Sequence, residues 1–332
     1  MPHVLITGGS GFIGSHVVAH FLRNNDWLIT VLDGLSYVAD ISRLTDDYAF
    51  DPARVKVHWW DLRSAVPDRV REHIGSVDYV VNLASESHVD KSIADARTFV
   101  LNNVQLVINM LEAFIPRKAF IQISTDEVFG PAPDGYAFRE DDTHCPSNPY
   151  SASKSCQEQI ATSYWRTYGL PIIIVRTMNN FGERQDKEKL VPKAIHNLLD
   201  EKPVPVHGEN LMGHWHAGSR VWLHARNFAD GLLFILKNLP PHRYPEAPKP
   251  DCYHITSNVE MSNLEIVEKI AGILGVPVRI EWQDVHKARP GHDRRYALDG
   301  SKLFALGWKP PIDIDESFRR TVLWEKGRLD AK

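Results

Sequence analysis

A tyrosine and a lysine four positions apart are the first residues in this sequence that could carry out chemistry. The stretch Tyr150-Ser151-Ala152-Ser153-Lys154 places a phenol and an ammonium on one face of a predicted helix. An ammonium beside a phenol, together with the positive charge of a bound cofactor, stabilises the phenolate and lowers its pKa from about 10. Such a tyrosine can take a proton from a sugar or alcohol hydroxyl as hydride leaves the carbon. Because this spacing is common by chance, it indicates a catalytic role only if the chain also contains a cofactor-binding loop.

A second candidate site is a hydroxyl followed by two carboxylates. Thr125-Asp126-Glu127 comes directly after a short apolar run, Phe120 to Ile123, that has the character of a buried strand. The carboxyl ends of strands form the ligand crevice in doubly wound folds. Two adjacent carboxylates there suit a reaction that needs both an acid and a base, although such pairs also cap helices or face solvent.

The cofactor-binding loop is predicted at the start of the chain. Three glycines, Gly8, Gly11 and Gly14, lie between an apolar strand, His3 to Thr7, and a helical pattern, Phe12 to Arg23. Glycines in this context make a tight turn, let backbone approach a pyrophosphate and let helix pack closely on strand. The helix N-terminus supplies N–H groups and a positive dipole end. A dinucleotide site is therefore predicted here.

An acidic residue at the end of the second strand specifies the dinucleotide. Asp33 follows Gly14 by 19 positions, where a carboxylate accepts hydrogen bonds from an adenosine ribose and repels a 2′-phosphate. The prediction is therefore NAD rather than NADP. Asp61 and Leu62, after the third strand, give a weaker indication of a contact with the adenine.

The elements that must position these residues alternate between short apolar runs and longer helical patterns. Further strand-like runs are Trp27 to Leu32, Val55 to Trp60, Tyr79 to Leu83 and Pro171 to Val175. Continuous apolar strands between helices indicate a parallel sheet covered on both faces. We therefore predict an α/β fold with a doubly wound parallel sheet that extends to about residue 177.

The second half of the chain has a different rhythm, with denser prolines and glycines. Helical patterns recur at Leu190 to Leu199, Arg226 to Leu236, Asn263 to Leu274 and Glu316 to Trp324. This half is predicted to be a smaller α+β lobe that returns one or two segments to the main sheet. The predicted boundaries are 1–177 for the NAD-binding domain, with returning segments around 221–257, and 178–220 with 258–332 for the lobe.

Composition and charge limit the classes of partner. The chain has 332 residues, a formal net charge of -4 and 43% hydrophobic residues, which favours a folded protein and argues against bulk binding to nucleic acid or anionic membrane. No apolar run approaches the roughly 20 residues of a membrane helix. Cys145, Cys156 and Cys252 are too few for a disulfide framework or zinc cluster, and no signal sequence is evident, so a cytoplasmic protein is expected.

Taken together, these motifs resemble those of a known family. The glycine loop and Tyr150-x-x-x-Lys154 look like those of an extended short-chain dehydrogenase/reductase that acts on nucleotide sugars. Three segments, 83–92, 124–130 and 289–297, resemble the nucleotide-glucose 4,6-dehydratases, and the most specific element is the Thr-Asp-Glu triplet. The resemblance covers nearly the whole chain and implies a Rossmann-type doubly wound sheet with a smaller α+β C-terminal substrate lobe.

The resemblance implies a redox-neutral dehydration of an NDP-glucose to the 4-keto-6-deoxy sugar, with dTDP-glucose as the leading candidate substrate. Tyr150, assisted by Thr125, would deprotonate O4 while hydride passes from C4 to tightly bound NAD. Glu127 would remove the C5 proton, Asp126 would protonate the departing 6-hydroxyl, and hydride would return to C6. The alternatives are a 4-epimerase, a decarboxylase, a dehydratase of UDP-glucose or of an amino or acidic sugar, and a non-catalytic NAD-binding protein.

The resemblance also implies two sets of binding residues. Besides Tyr150 and Lys154, those expected at NAD are Gly8, Gly11, Phe12, Ile13, Gly14, Asp33, Gly34, Leu35, Ser36, Asp61, Leu62, Leu83, Ala84, Ser85, Asn102 and Asn180. Besides Thr125, those expected at the sugar nucleotide are Ser87, His88, Asn179, Lys189, Leu190, Pro205, His207, Arg220, Arg289 and His292. Lys189, Arg220 and Arg289 are the cations expected at its diphosphate.

Some segments depart from the family pattern, so the nucleotide base stays open. Where the family reads Arg-Asp-Trp-Leu-Tyr-Val-Glu-Asp, this chain has Arg-Val-Trp-Leu-His-Ala-Arg-Asn at 220–227, and 183–185 is also unusual. A longer stretch, 211–218, precedes it; its His214 and His216 favour a structural or substrate-loop role over a metal site. The family pairs the helices around 93–114 and 151–168 between subunits, so a homodimer is expected.

Overall fold

A seven-stranded parallel sheet organises the first half of the molecule in the computed structural model, which describes residues 1–35, 39–47, 49–284 and 293–330. Six of its strands follow one another along the chain, and one returns from the second half. The strands are β1 His3–Thr7, β2 Leu28–Asp33, β3 Val55–Trp59, β4 Tyr79–Asn82, β5 Ala119–Thr125, β6 Ile172–Thr177 and β12 Asp251–Ile255. The spatial order β3-β2-β1-β4-β5-β6-β12 reverses between β1 and β4, and ligands bind at such a switch point in this class of sheet.

Helices cover both faces of this sheet. Their bounds are α1 Phe12–Asn24, α2 Ser42–Thr45, α3 Asp68–Ile74, α4 Val89–Ala94, α5 Ala96–Ala113, α6 Pro149–Tyr168 and α8 Ala225–Asn238. The helices α1 and α8 pack together over one face through Phe21 and Phe228, and α5 and α6 cover the other through Met110 and Trp165. Since each strand is buried on both sides, its apolar residues run almost without interruption.

Most of the remaining elements form a smaller lobe beside the carboxyl edge of the sheet. They are β7 Asn180–Phe181, α7 Leu190–Leu199, β8 Val204–Leu211, β9 His214–Ala217, β10 Ser219–Val221, β11 Leu223–His224, β13 Glu260–Ser262, α9 Asn263–Leu274, β14 Ile280–Asp284, β15 Arg295–Tyr296 and α11 Ile314–Asp330. The short helix α10 Ser301–Ala305 instead packs on β12 of the main sheet. A separate apolar core, with Phe318 stacked on Phe181 at 4.0 Å between ring centroids, joins α7, α9 and α11. The lobe therefore has its own packing and does not merely extend the sheet.

The secondary structure follows the sequence patterns closely. The α/β fold with a parallel sheet is confirmed, and helices α7 and α9 have the predicted bounds. The returning strand is Asp251–Ile255, which pairs with β6; the segment 223–224 instead pairs with β7. The helix expected around 93–114 is interrupted at Asp95, whose side chain accepts a hydrogen bond from the Thr98 N–H and so begins α5 there. No helix among the described residues combines the length and the hydropathy needed to cross a membrane.

Candidate active site

The glycine loop after β1 is shaped so that only glycine fits at its two ends. Gly8 has a φ of +68°, in the left-handed region, and its amide donates to Leu32 O. A Cβ added at Gly14 would lie 2.2 Å from Gly8 O and 2.7 Å from the Gly9 Cα. Because α1 begins at Phe12, the N–H groups of its first turn, which have no partner within the helix, lie at this loop. The first turn contains no acidic side chain that would repel an anion. The residues present therefore fit a pyrophosphate group.

Asp33 ties this loop to the next strand. Its carboxylate accepts hydrogen bonds from the backbone N–H of Ser10 at 2.9 Å and of Leu35 at 2.9 Å, and it is 6% exposed. Each carboxylate oxygen keeps a further lone pair, so these bonds leave acceptor capacity for a ribose. The same side chain therefore fixes the loop that would hold the pyrophosphate.

The other predicted site residues lie where strands of the main sheet end or on the adjoining edge of the lobe. Asp61 follows β3, Leu83 and Ser87 follow β4, and Asn179 and Asn180 follow β6. In the lobe, Lys189 is the N-cap residue of α7, and His207 lines a small pocket together with Arg220. Ser36, Arg289 and His292 lie outside the described residues.

Several of these side chains are held by their neighbours. Asn102 donates to a Glu86 carboxylate oxygen at 2.6 Å, and Asn180 donates to Thr177 Oγ1 at 3.0 Å. His88 pairs with Glu188, with 2.9 Å between Nε2 and Oε2. These contacts fix the side chains, while the NAD and sugar-nucleotide roles given to them stay predictions.

Thr125 links the carboxylates to the tyrosine. Its hydroxyl oxygen lies 2.9 Å from Asp126 Oδ1, and it shares a hydrogen bond with the phenol of Tyr150. Burial raises the pKa of Tyr150, and the charges of Glu127 and Asp126 raise it further. The phenol therefore stays protonated in this state of the protein, and forming a phenolate requires a positive charge from a bound ligand.

The two carboxyl groups have raised pKa values for a common reason. Burial raises the pKa of Asp126 to about 6, against the hydrogen bond from Thr125. Burial also raises the pKa of Glu127 to about 7, with a further contribution from the charge of Asp126. Asn148, the N-cap residue of α6, approaches Glu127 at 3.5 Å from Nδ2 to Oε2. Between the two pKa values the pair holds one proton, which the order of the values places on Glu127 in the ligand-free protein. The roles that the resemblance implies, with Glu127 as base and Asp126 as acid, therefore require that proton to pass to Asp126 when substrate binds.

Lys154 is on the same helix as Tyr150, but its described contacts lie elsewhere. Its ammonium donates to Ile123 O at 2.7 Å and to Gln157 Oε1 at 2.7 Å, and the residue is 4% exposed. Burial lowers its pKa to about 8, while the charge of Glu158 opposes this. The predicted lowering of the Tyr150 pKa includes the positive charge of a bound nicotinamide; without it, burial and the carboxylates raise the pKa of the phenol.

Arg220 and Tyr296 complete the site, although no sequence motif assigns a role to Tyr296. Arg220 is 4% exposed, donates to three backbone carbonyls, of Ser219, Asp293 and Arg294, and stacks over the Tyr296 ring at 4.4 Å. The charge of Arg220 lowers the pKa of Asp126 and of Glu127, so it lies beside the acid-base pair. Burial and the charge of Glu127 raise the pKa of Tyr296. Only the pairing of β10 with β15 brings these residues together.

Two of the segments that depart from the family pattern, 183–185 and 220–227, meet in one cluster. His224 and Glu183 lie 3.0 Å apart, Nε2 to Oε2, and the Glu183 carbonyl lies 2.9 Å from His16 Nε2. Arg226 lies within electrostatic range of both Glu183 and His224. The unusual residues at 183 and at 224–226 are thus partners of one another. Within the described ranges, His214 and His216 belong to no group of three or more His, Cys, Asp or Glu side chains that could hold a metal ion. The structural or substrate-loop role expected for them stays a prediction.

A glycine cradle at a helix N-terminus, a buried Tyr-x-x-x-Lys helix and a hydroxyl with two carboxyls define an extended short-chain dehydrogenase/reductase. Comparison with known proteins makes this more specific. The sequence model described as GDP-mannose 4,6 dehydratase matches residues 5–321. The chain belongs to that family of nucleotide-sugar dehydratases.

Relatives and solved structures agree over nearly the full chain. The protein is 38% identical to the low-salt glycan biosynthesis protein Agl12 of Haloferax volcanii, over 96% of this chain and 97% of that protein. It is 35% identical to the dTDP-glucose 4,6-dehydratase of Haemophilus influenzae, over 98% of each. The crystal structure of DesIV, a dTDP-glucose 4,6-dehydratase from Streptomyces venezuelae with NAD bound, superposes with a TM-score of 0.83 at 33% identity, covering 99% of this chain and 98% of that one.

Proposed function

We propose that this protein is an NAD-dependent hydro-lyase that converts an NDP-glucose, with dTDP-glucose as the first candidate, into the NDP-4-keto-6-deoxyglucose. The observation that carries the proposal is the Asp126–Glu127 pair beside Thr125 and Tyr150, with Asp126 buried, Glu127 partly buried and pKa values raised to about 6 and about 7. A simple 4-epimerisation needs a tyrosine and a hydride acceptor, but it does not need a second acid and base.

The chain's own residues would divide the proton transfers among them. Tyr150, held by Thr125, takes the O4 proton, and Glu127 takes the C5 proton, which a neighbouring ketone makes acidic. Asp126 gives a proton to the departing 6-hydroxyl, and Glu127 returns a proton to C5 when hydride adds to C6. When bound, NAD supplies the hydride acceptor for C4 and the hydride donor for C6, and its positive ring favours the Tyr150 phenolate. Lys154 would hold the cofactor's ribose end with a remaining N–H. No external reductant is needed.

Binding of the two diphosphates would use different means. The cradle of Gly8, Gly11 and Gly14 with the α1 N-terminus suits the NAD pyrophosphate, and Asp33 suits its adenosine ribose. Lys189, whose charge lowers the pKa of Glu127, lies on the sugar side of the site. The proposed tight retention of NAD follows from the return of the same hydride in each turnover.

The test is a panel of dTDP-, UDP-, GDP- and CDP-glucose with no added NADH. Loss of one water from the product, with deuterium entering C5 when the reaction runs in heavy water, is the expected result for at least one of them. Glu127→Gln should lower the rate at least about 100-fold, the usual scale of a general base, while Glu72→Gln, an exposed carboxylate on α3, should leave it unchanged. C4 epimerisation without loss of water would refute the proposal and favour the epimerase alternative.

We also propose a homodimer formed through α5 and α6. Both helices keep large apolar or aromatic side chains at the surface: Leu101 is 56% exposed and Tyr168 is 64% exposed. Light scattering at working concentration should give twice the chain mass, and a monomer would refute it. A cytoplasmic location stays a prediction, which cell fractionation tests.

A further inference from the structure

A chain of buried amide side chains ends on the ammonium of Lys154. Register places Thr7 beside Asn82 and Asn82 beside Gln122, across strands β1, β4 and β5. Gln157, one turn after Lys154 on α6, continues the chain. All four residues are 0–1% exposed, so each polar atom must find a protein partner.

The donors and acceptors of this chain point in one direction. The Ala84 N–H donates to Thr7 Oγ1 at 3.0 Å, so the hydroxyl hydrogen is free to donate to Asn82 Oδ1 at 2.7 Å. Asn82 Nδ2 then donates to Gln122 Oε1 at 2.8 Å, and Gln122 Nε2 donates to Gln157 Oε1 at 3.3 Å. Because each amide has distinct donor and acceptor ends, the order at Thr7 fixes the order at Gln157.

The other end of Gln157 is fixed independently. Its Nε2 donates to the backbone carbonyl of Asn103 at 2.7 Å. Asn103, which is 0% exposed, also accepts from the Glu86 N–H at 2.8 Å and donates to Ser153 Oγ at 2.9 Å. Both constraints turn the Gln157 oxygen toward Lys154, so an acceptor is always presented to the ammonium.

We propose that Gln157, oriented by Gln122 and Asn103, is a positioning residue that holds the Lys154 ammonium at a fixed place beside Ile123 O. An ammonium has three N–H groups, and these two acceptors occupy two of them. The third is left for a ligand or for Tyr150. The proposal rests on the proposed function for its effect on turnover, whereas the contact itself does not depend on which sugar is used.

The charges around Lys154 are few and can be named. Glu158 on α6 raises its pKa, and that carboxylate is paired with Arg176 of β6 and lies 3.5 Å from His144. The groups that β5 and α5 place against the ammonium and its holder are neutral: Ile123 O, the Gln122 amide and Asn103. A change in the Gln157 side chain should therefore be felt directly at the ammonium.

The experiment compares two substitutions at one position that should shift the Lys154 pKa in opposite directions. Gln157→Met removes the acceptor at similar volume, and Gln157→Glu replaces the amide with a carboxylate. The matched control is Gln159→Met, an exposed glutamine on the same helix. NMR titration of ¹³Cε-lysine-labelled, full-length protein measures the Lys154 pKa, with its signal assigned by loss in Lys154→Arg. The pH profile of kcat with the preferred NDP-glucose is measured in parallel.

We expect Gln157→Met to lower the Lys154 pKa by about one unit, the scale of a hydrogen bond to a charged group. The alkaline limb of the pH profile of kcat should move to lower pH with it, which gives about a fivefold loss of kcat near pH 8. Gln157→Glu should raise the Lys154 pKa and move the limb upward, and Gln159→Met should change neither. If Gln157→Met does not fold, the upward shift in Gln157→Glu carries the test by itself.

Two results would overturn the proposal. One is an unchanged Lys154 titration in both Gln157 variants; the other is a loss of kcat by the same factor at every pH, as a purely structural role would give. Failure of the wild-type protein to dehydrate any NDP-glucose would refute the proposed function, while the NMR titration would still decide whether Gln157 holds the ammonium.

Discussion

Replacing Glu127 with glutamine should stabilise the protein while removing a group needed for dehydration. Burial raises the pKa of Glu127 from its ordinary value of 4.5 to about 7. At a pH between these values, the unfolded chain has released this proton while the folded chain still holds it. The free energy of unfolding therefore falls as pH rises through this window, and the full destabilisation by the Glu127 charge is present above about pH 7. Glutamine carries no charge at any pH and avoids that cost.

The size of the effect follows from the same two values. The interval between 4.5 and about 7, at about 1.4 kcal/mol for each pKa unit, corresponds to about 3 kcal/mol. Since the Glu127 side chain is not fully buried, solvent reduces this to about 2 kcal/mol. The gain should be small near about pH 5 and reach about 2 kcal/mol near about pH 8.

Urea unfolding of the wild-type protein and of Glu127→Gln at those two pH values is the assay. The midpoint should move to higher urea at the alkaline pH and much less at the acidic one, with an unchanged slope. Glu72→Gln, on the exposed face of α3, is the control and should move neither midpoint. An equal gain at both pH values, or a loss at the alkaline one, would refute the assignment of a buried, costly carboxylate to this site.

Three further outcomes are expected. Gly14→Ala should abolish NAD binding, measured by calorimetry, because its Cβ would lie 2.2 Å from Gly8 O; retained affinity would contradict the close packing of loop and helix. Arg176→Met should reduce the free energy of unfolding by about 3–5 kcal/mol. The substitution leaves the Glu158 carboxylate, which is 1% exposed, without the cation that lies 2.6 Å from it. A loss below about 1 kcal/mol would show that the pair is not desolvated. Asp33→Asn should weaken NAD binding about tenfold and narrow the preference for NAD over NADP. The reason is that an amide has only one acceptor oxygen and cannot accept from two backbone N–H groups and a ribose as the carboxylate does. Unchanged affinities for both cofactors would contradict the role proposed for Asp33.

The periodicity of the sequence was enough for the sheet and its helices. Strands buried on both faces must be almost continuously apolar, so β1 and β5 could be located directly from composition along the chain. The glycine loop was equally readable, because Gly8 and Gly14 meet a steric need that no other residue satisfies. The sequence also placed the triplet Thr125-Asp126-Glu127 at the carboxyl edge of the sheet, because it follows a predicted strand directly and the carboxyl ends of strands form the ligand crevice.

Only the tertiary structure decided which groups act on one another. Tyr296 and Arg220 are 76 positions apart in the sequence and meet because β10 pairs with β15. Gln122 and Gln157 had no motif to mark them, yet strand register and the position of α6 place both on the path to Lys154. Local pattern determines which residues form each element, because backbone geometry and burial act within a few residues. Charge, burial and the protonation of a site are sums over groups from distant elements, and those sums exist only once the chain has folded.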